Sequence, residues 1–189
     1  ERHAKMAKEA AKEVTKSALV SDLDNLPATN SLYYDDVYQS QFDASVLHCT
    51  KVQSDDLPEG VTHGVILDRT CFYPEGGGQE ADFGTLSTES VHCRVLDTRK
   101  VGEHIIHFTA SPLNNGDVVR GSVDWKRRKQ LMDHHTSVHI VGGAARRILG
   151  PHIYQAGANK SEESARLDIT HYNRLSRQDL DEIEKMANQ

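Results

Sequence analysis

The spacing of hydrophobic residues changes abruptly near Asp124. Before this residue, short segments rich in β-branched or alternating residues are separated by turn signals such as Asn114-Asn115-Gly116-Asp117. After it, apolar residues recur at helical spacing from about Lys126 to Leu149, where Gly150-Pro151 predicts the end of a helix. A period of two indicates strands and a period near 3.6 indicates a helix. The sequence therefore predicts an α+β fold.

Three regions are predicted along the chain. Residues 1–30 are interpreted as a linker helix from a missing upstream domain, because residues 1–18 are rich in Ala, Lys and Glu without a bulky apolar stripe. Residues 31–124 are predicted to form a small β-barrel subdomain. Residues 125–189 are predicted to begin an α/β layer subdomain, with the long helix, a hairpin and a helix that opens at Ser176. The predicted strands are residues 42–52, 62–68, 84–86, 91–98, 104–109 and 118–124 in the barrel, and 152–158 and 164–170 in the hairpin.

The composition argues against a disulfide framework, a zinc ribbon and a membrane-spanning helix. The chain has 189 residues, an ordinary hydrophobic content of 37% and a net charge of −6. Its three cysteines are odd in number and none belongs to a Cys-x-x-Cys pair, which argues against a disulfide framework and a zinc ribbon. No apolar run approaches the length of about 20 residues that spans a membrane. Without a signal peptide, the predicted location is cytoplasmic; no membrane and no protein partner is predicted.

The long helix carries His135 and His139, four positions apart. That spacing places both imidazoles on one face, one turn apart, as two metal ligands from a single helix must be. Because Thr136 follows His135, the Glu of a His-Glu-x-x-His protease motif is absent. A zinc site needs three or four protein ligands, so the two histidines predict half of one. The alternative is a pair of surface histidines.

A glycine-rich segment, Phe72-Tyr73-Pro74-Glu75-Gly76-Gly77-Gly78-Gln79, follows the predicted strand that ends at Asp68. Three consecutive glycines leave backbone N–H groups uncovered, so a ligand can approach them closely. The segment lacks the Gly-Lys-Ser/Thr of a phosphate loop. A flexible hairpin turn is the alternative interpretation.

Basic residues surround the histidine helix. Seven lie between Arg120 and Arg147, against two acids. Arg128 and Arg146 fall on the histidine face of the helical wheel, which predicts contacts with phosphates of a nucleic acid. Ordinary solvated charges are the alternative.

The two motifs together, in this order, resemble the editing domains of alanyl-tRNA synthetases and their free-standing relatives, over about Tyr33 to Gln189. That family has a Tyr-Pro-Glu-Gly-Gly-Gly-Gln motif, a His-x-x-x-His helix and a later Cys-x-x-x-His. This chain has Gln79-Glu80 where the family commonly has Gln-Pro, which predicts a change in loop rigidity. No Cys-x-x-x-His occurs in residues 140–189. The remaining zinc ligands are therefore expected beyond Gln189, and the site is predicted to be incomplete in this fragment.

The resemblance implies a hydrolase that removes serine or glycine from mischarged alanine tRNA, within a parent ATP-dependent alanine–tRNA ligase of protein biosynthesis. It implies that His135, His139 and Gln79 are catalytic, and that His135 and His139 bind zinc. The ion would polarise the ester, seat the serine hydroxyl or activate a water. Substrate-binding residues would be Thr70, Gly76, Gly77, Gly78, Arg128 and Arg146. Three alternatives stay open: a non-catalytic tRNA-binding module, a free-standing trans-editing hydrolase and a general metallohydrolase.

Overall fold

The structure, a computed structural model, describes Leu23 and residues 25–189. The linking helix predicted over residues 1–18 lies outside the described residues. Residue contacts divide the described residues into two units, which we call the barrel unit (Leu23 and residues 25–75, with Ala81–Trp125) and the helix–hairpin unit (Gly76–Glu80, with Lys126–Gln189). The strands and helices are β1 (Asn30–Ser31), β2 (Gln41–Lys51), β3 (His63–Leu67), β4 (Arg69–Thr70), β5 (Gly84–Ser87), β6 (His92–Val101), β7 (His104–Thr109), β8 (Val118–Val123), α1 (Trp125–Leu149), β9 (Gln155–Lys160), β10 (Ala165–Ile169) and α2 (Arg177–Ala187).

The barrel unit contains a closed antiparallel barrel in the order β2-β3-β7-β6-β5-β8. Strand β2 pairs with β8 through its first half and with β3 through its second half. A register shift between Val46 and His48 lies at this change of partner, and such a bulge bends a strand sharply enough to turn a sheet back on itself. The predicted α+β class and the small barrel are confirmed, and each of the six predicted barrel strands corresponds to an observed one.

The barrel interior is mostly apolar and contains the buried polar side chain of His107. Along β2, alternate residues Phe42, Ala44 and Val46 are buried, which is the period that the sequence indicated. His107 is also fully buried, and its ring bonds the hydroxyl of Thr70 and the carbonyl of Val65 at 2.8 and 3.1 Å. These bonds satisfy both ring nitrogens inside the core.

The helix–hairpin unit holds most of α1, the antiparallel hairpin β9–β10, and α2. Gly150 ends α1 with a φ of +116°, and Ser176 begins α2 with the predicted capping box to Asp179. A small core joins the three elements; its buried residues are Ala144, Ala145, Ile153 and Ile183. No helix among the described residues is long and apolar enough to cross a membrane.

Helix α1 buries Leu131, Val138 and Ala145, whereas Val141 on the same helix is 38% exposed. The helical wheel was wrong at one basic residue. Arg128, placed on the open histidine face, is 3% exposed. A wheel assigns faces from helical spacing alone, so it does not show which residues other segments of the fold cover.

Candidate functional site

The glycine turn, Gly76–Gln79, is built from two reciprocal backbone hydrogen bonds. Gly76 N–H donates to the Gln79 carbonyl at 3.1 Å, and Gln79 N–H donates to the Gly76 carbonyl at 2.9 Å. The two central residues, Gly77 and Gly78, have φ values of +59° and +76°. Positive φ at both central positions is the requirement of a type I′ turn, which glycine meets without steric cost. The turn therefore presents Gln79 from a defined backbone.

The end of β9 holds this turn from one side. Lys160 N–H donates to the Gly78 carbonyl at 2.7 Å, and Glu80 N–H donates to the Lys160 carbonyl at 3.1 Å. A Cβ on Gly78 would lie 2.2 Å from the carbonyl oxygen of Ala158. Glycine is therefore needed at position 78 both for its φ and for the close approach of strand β9.

Helix α1 supplies the histidine pair, His135 and His139. Their rings stack with centroids 5.2 Å apart and planes 21° from parallel, as the spacing of four residues predicts. Nδ1 of His135 lies 2.9 Å from Oε1 of Gln79. An amide oxygen only accepts hydrogen bonds, so Nδ1 of His135 is the donor in this contact, and the neutral ring then has its lone pair on Nε2.

The surroundings of His135 favour the neutral imidazole. Burial, the positive charge of Lys160 and the neighbouring His139 all lower the pKa of His135 below its ordinary value. A Cβ on Gly77 would lie 3.4 Å from Cε1 and 3.8 Å from Nε2 of the His135 ring. Because residue 77 is a glycine, it places no side chain against the Cε1–Nε2 edge of the ring. A neutral ring with Nε2 unprotonated is the form that binds a metal or accepts a proton.

These residues fit part of a zinc site. Histidine is a common zinc ligand, and the hydrogen bond that Nδ1 of His135 donates to Gln79 is the kind of contact that orients a histidine ligand. Within the described part of the chain, no group of three or more His, Cys, Asp or Glu side chains is arranged to hold a metal ion. The described residues thus bring together two side chains of the type that zinc binds, where a zinc site takes three or four.

A cavity of about 240 Å³ runs along α1 beside His139 and is also lined by Gly142, Arg146, Tyr154 and Leu167. Arg146 donates to the Ile153 carbonyl at 2.8 Å and stacks over the Tyr154 ring at 4.5 Å. A Cβ on Gly142 would meet Leu167 at 3.6 Å, an ordinary contact distance. The cavity therefore extends the histidine face toward a fixed guanidinium.

The structure does not group all the predicted site residues. Gly76, Gly77, Gly78, Gln79, His135 and His139 meet within the helix–hairpin unit, and Arg146 lines the cavity beside His139. Thr70 belongs to the barrel unit, where its hydroxyl bonds His107 and accepts from Phe72 N–H at 3.0 Å. Arg128 is buried. The substrate-binding roles given to these residues stay predictions.

Two further parts of the site were not anticipated from the sequence. Lys160 is fully buried beneath the glycine turn. Arg127 donates to Glu80 at 2.7 Å and to Glu162 at 3.1 Å, joining the residue after the turn to the β9–β10 loop. Neither carries a sequence signal, because charged residues near turns and strand ends are ordinarily taken as solvated.

Comparison with known proteins adds an independent finding. A family model described as tRNA synthetases class II (A) matches residues 1–127. The chain belongs to this family.

Curated relatives of this class II synthetase chain agree with the family. It is 47% identical over 164 residues to an alanine–tRNA ligase of Natronomonas pharaonis, covering 87% of the chain and 17% of that relative. It is 44% identical over 186 residues to an alanine–tRNA ligase of Pyrococcus furiosus, covering 97% of the chain and 19% of the relative. A ligase of the same name from Thermococcus kodakarensis is 44% identical over 183 residues, with 96% and 18% covered. The class II synthetase chain therefore spans less than a fifth of these relatives.

Proposed function

We propose that the chain is the editing region of an alanine–tRNA ligase, and that it hydrolyses the ester joining serine or glycine to tRNA(Ala). One observation carries the proposal: the hydrogen bond between Gln79 Oε1 and His135 Nδ1, which joins two motifs that are 56 positions apart. The glycine turn and the histidine helix thereby form one site. The start of an α/β layer editing subdomain in residues 125–189 is part of this proposal.

The ligands proposed for zinc are His135 and His139. When bound, the ion supplies Lewis-acid chemistry at the ester or at water. The residues of this chain keep His135 neutral with its proton on Nδ1. The Nε2 atom is then unprotonated and can coordinate the ion. Among the described residues, no third His, Cys, Asp or Glu is grouped with this pair to hold a metal ion.

Specificity for serine over alanine is assigned to the glycine turn. Gln79 is 4% exposed, so a polar atom of its amide that lacks a partner would be costly. Its oxygen accepts from His135, which leaves the amide nitrogen to donate to the serine hydroxyl. A polar pocket rejects a substrate lacking the hydroxyl more sharply than an apolar pocket rejects an extra one. Alanine would therefore be spared.

The proposed partner is the acceptor end of tRNA(Ala). Arg146 lies beside the cavity next to His139 with its guanidinium held by Ile153 and Tyr154, and a fixed guanidinium matches a phosphate group well. The basic surplus around α1 supports the same partner. It also favours the alternative function, a tRNA-binding module without catalysis.

The experiment that tests the proposal measures deacylation of serine-charged tRNA(Ala) by the full-length protein, together with tRNA binding and zinc content. We expect His135→Ala and His139→Ala to lower the rate by on the order of 10²-fold or more and to lower zinc content, while tRNA binding is retained. His134→Ala is the matched control, since its ring contacts Gln130 and the Ser161 carbonyl instead of the glycine turn. Unchanged deacylation in both variants would rule out this site, and binding without hydrolysis in the wild type would favour the binding module.

A further inference from the structure

Lys160, the last residue of β9, has an unusual position for a lysine. It is fully buried, one of the largest side chains with no exposed surface. Its Nζ donates to the Gly77 carbonyl at 2.6 Å. Lysine is almost never fully buried unless a partner compensates its charge, so this placement calls for an explanation.

Every polar group of Lys160 contacts the segment 77–80. Its side chain bonds the Gly77 carbonyl, its backbone N–H bonds the Gly78 carbonyl, and its own carbonyl accepts from Glu80 N–H. A charge-assisted bond of this length is among the stronger hydrogen bonds in proteins. One residue thereby fixes the backbone on both sides of Gln79.

Burial of the Lys160 side chain disfavours its charged form. Burial lowers the pKa of Lys160 below its ordinary value, and no carboxylate among the described residues lies within ion-pair distance of its ammonium. A methionine would fill a similar volume without desolvating an amine. The lysine is therefore poorly explained by stability alone.

We propose that Lys160 is a positioning residue of the editing site: by holding the Gly77 carbonyl, it keeps Gln79 Oε1 on Nδ1 of His135. The expected effect of Lys160 on catalysis rests on the proposed function. Its expected effect on the position of Gln79 does not. Lys160 acts on Gly77 and Gln79, and through them on the ring that is proposed to bind zinc.

The test compares Lys160→Met, which removes the donor and the charge, with Lys160→Arg, which keeps both. Lys185→Met is the matched control, since Lys185 is an exposed lysine of the same unit. The first readout is the ¹⁵N spectrum of the His135 ring in the metal-free protein, because a protonated and an unprotonated nitrogen have distinct shifts. We expect Lys160→Met to lose the Nδ1-protonated form, and Lys160→Arg and Lys185→Met to keep it.

The second readout is deacylation of serine-charged tRNA by the full-length protein. We expect Lys160→Met to lower kcat by on the order of 10²-fold with little change in KM, as a misplaced catalytic group does, and Lys160→Arg to recover most of the loss. A Met variant with the wild-type ring spectrum and kcat would overturn the proposal. If that variant does not fold, the ring spectrum of Lys160→Gln decides in the same way. A wild type without deacylation would defeat the proposed function alone, since the ring spectrum still tests the position of Gln79.

Discussion

The side-chain oxygen of Gln79 lies 2.9 Å from Nδ1 of His135, although the two residues are 56 positions apart in the chain. This bond sets the tautomer of His135, and the tautomer decides which nitrogen faces a metal or substrate. Replacing Gln79 with Ala should release the ring while leaving His139 in place. We expect the zinc affinity of the full-length protein to fall by about 10-fold to 100-fold, measured by competition with a chelator. Gln178→Ala, on the exposed surface of α2, is the control and should leave affinity unchanged.

Substitution of Gly78 in the glycine turn should cost more stability than substitution of Gly102, which lies between β6 and β7. Gly78→Ala combines a left-handed φ with a Cβ 2.2 Å from a backbone oxygen, so we expect the free energy of unfolding to fall by about 2–5 kcal/mol. Gly102→Ala has φ +59° and open space around the added methyl, so its cost should be about 1–2 kcal/mol. Urea denaturation followed by circular dichroism measures both. Equal costs would mean that the approach of β9 to Gly78 is not as close as described.

The buried ring of His107 should make stability depend on pH. Burial lowers its pKa from the ordinary 6.5 to about 4. Since the folded pKa lies below the unfolded one, the unfolded chain binds more protons between these values, and stability falls as the pH drops from about 6.5 to about 4. The full loss is about 3 kcal/mol. His107→Gln should flatten the profile across this window, whereas His92→Gln, at an exposed position, should leave the slope intact.

Arg127 should stabilise the turn from its C-terminal side. Its side chain is 8% exposed and bonds Glu80, which is 40% exposed. Because one partner is substantially solvated, we expect a coupling free energy of about 1 kcal/mol between the two. A double-mutant cycle with Arg127→Met and Glu80→Gln measures it by urea denaturation. Glu163→Gln, an exposed neighbour of Glu162, is the control and should show no coupling to Arg127.

More of the fold than of the candidate site could be predicted from the sequence. Strand positions followed from period two and helix α1 from period 3.6, because burial of one face imposes those patterns directly. The observed hairpin, Gln155–Lys160 with Ala165–Ile169, begins later than the predicted strand at His152 because Gly150-Pro151 is followed by a turn before β9. The pairing of His135 with His139 could also be predicted from the sequence, because residues four positions apart on a helix lie on the same face.

Lys160 and Arg128 could not be predicted in the same way. The burial of Lys160 depends on contacts with residues 77–80, which are distant in the chain, and sequence polarity alone places both lysine and arginine in solvent. Thr70 shows the converse: a residue near the glycine-rich segment in sequence belongs to the barrel unit, with its hydroxyl engaged by His107. Nearness in sequence to Gln79 does not by itself make Thr70 part of the same cluster.

The measurement that tests the central claim most directly is a double-mutant cycle on the deacylation of serine-charged tRNA(Ala), using Gln79→Ala, His135→Ala and the double variant of the full-length protein. If the two residues form one hydrolytic site, the double variant should be no slower than His135→Ala alone, since groups that act as a unit are strongly non-additive. Independent, multiplying losses would contradict the account.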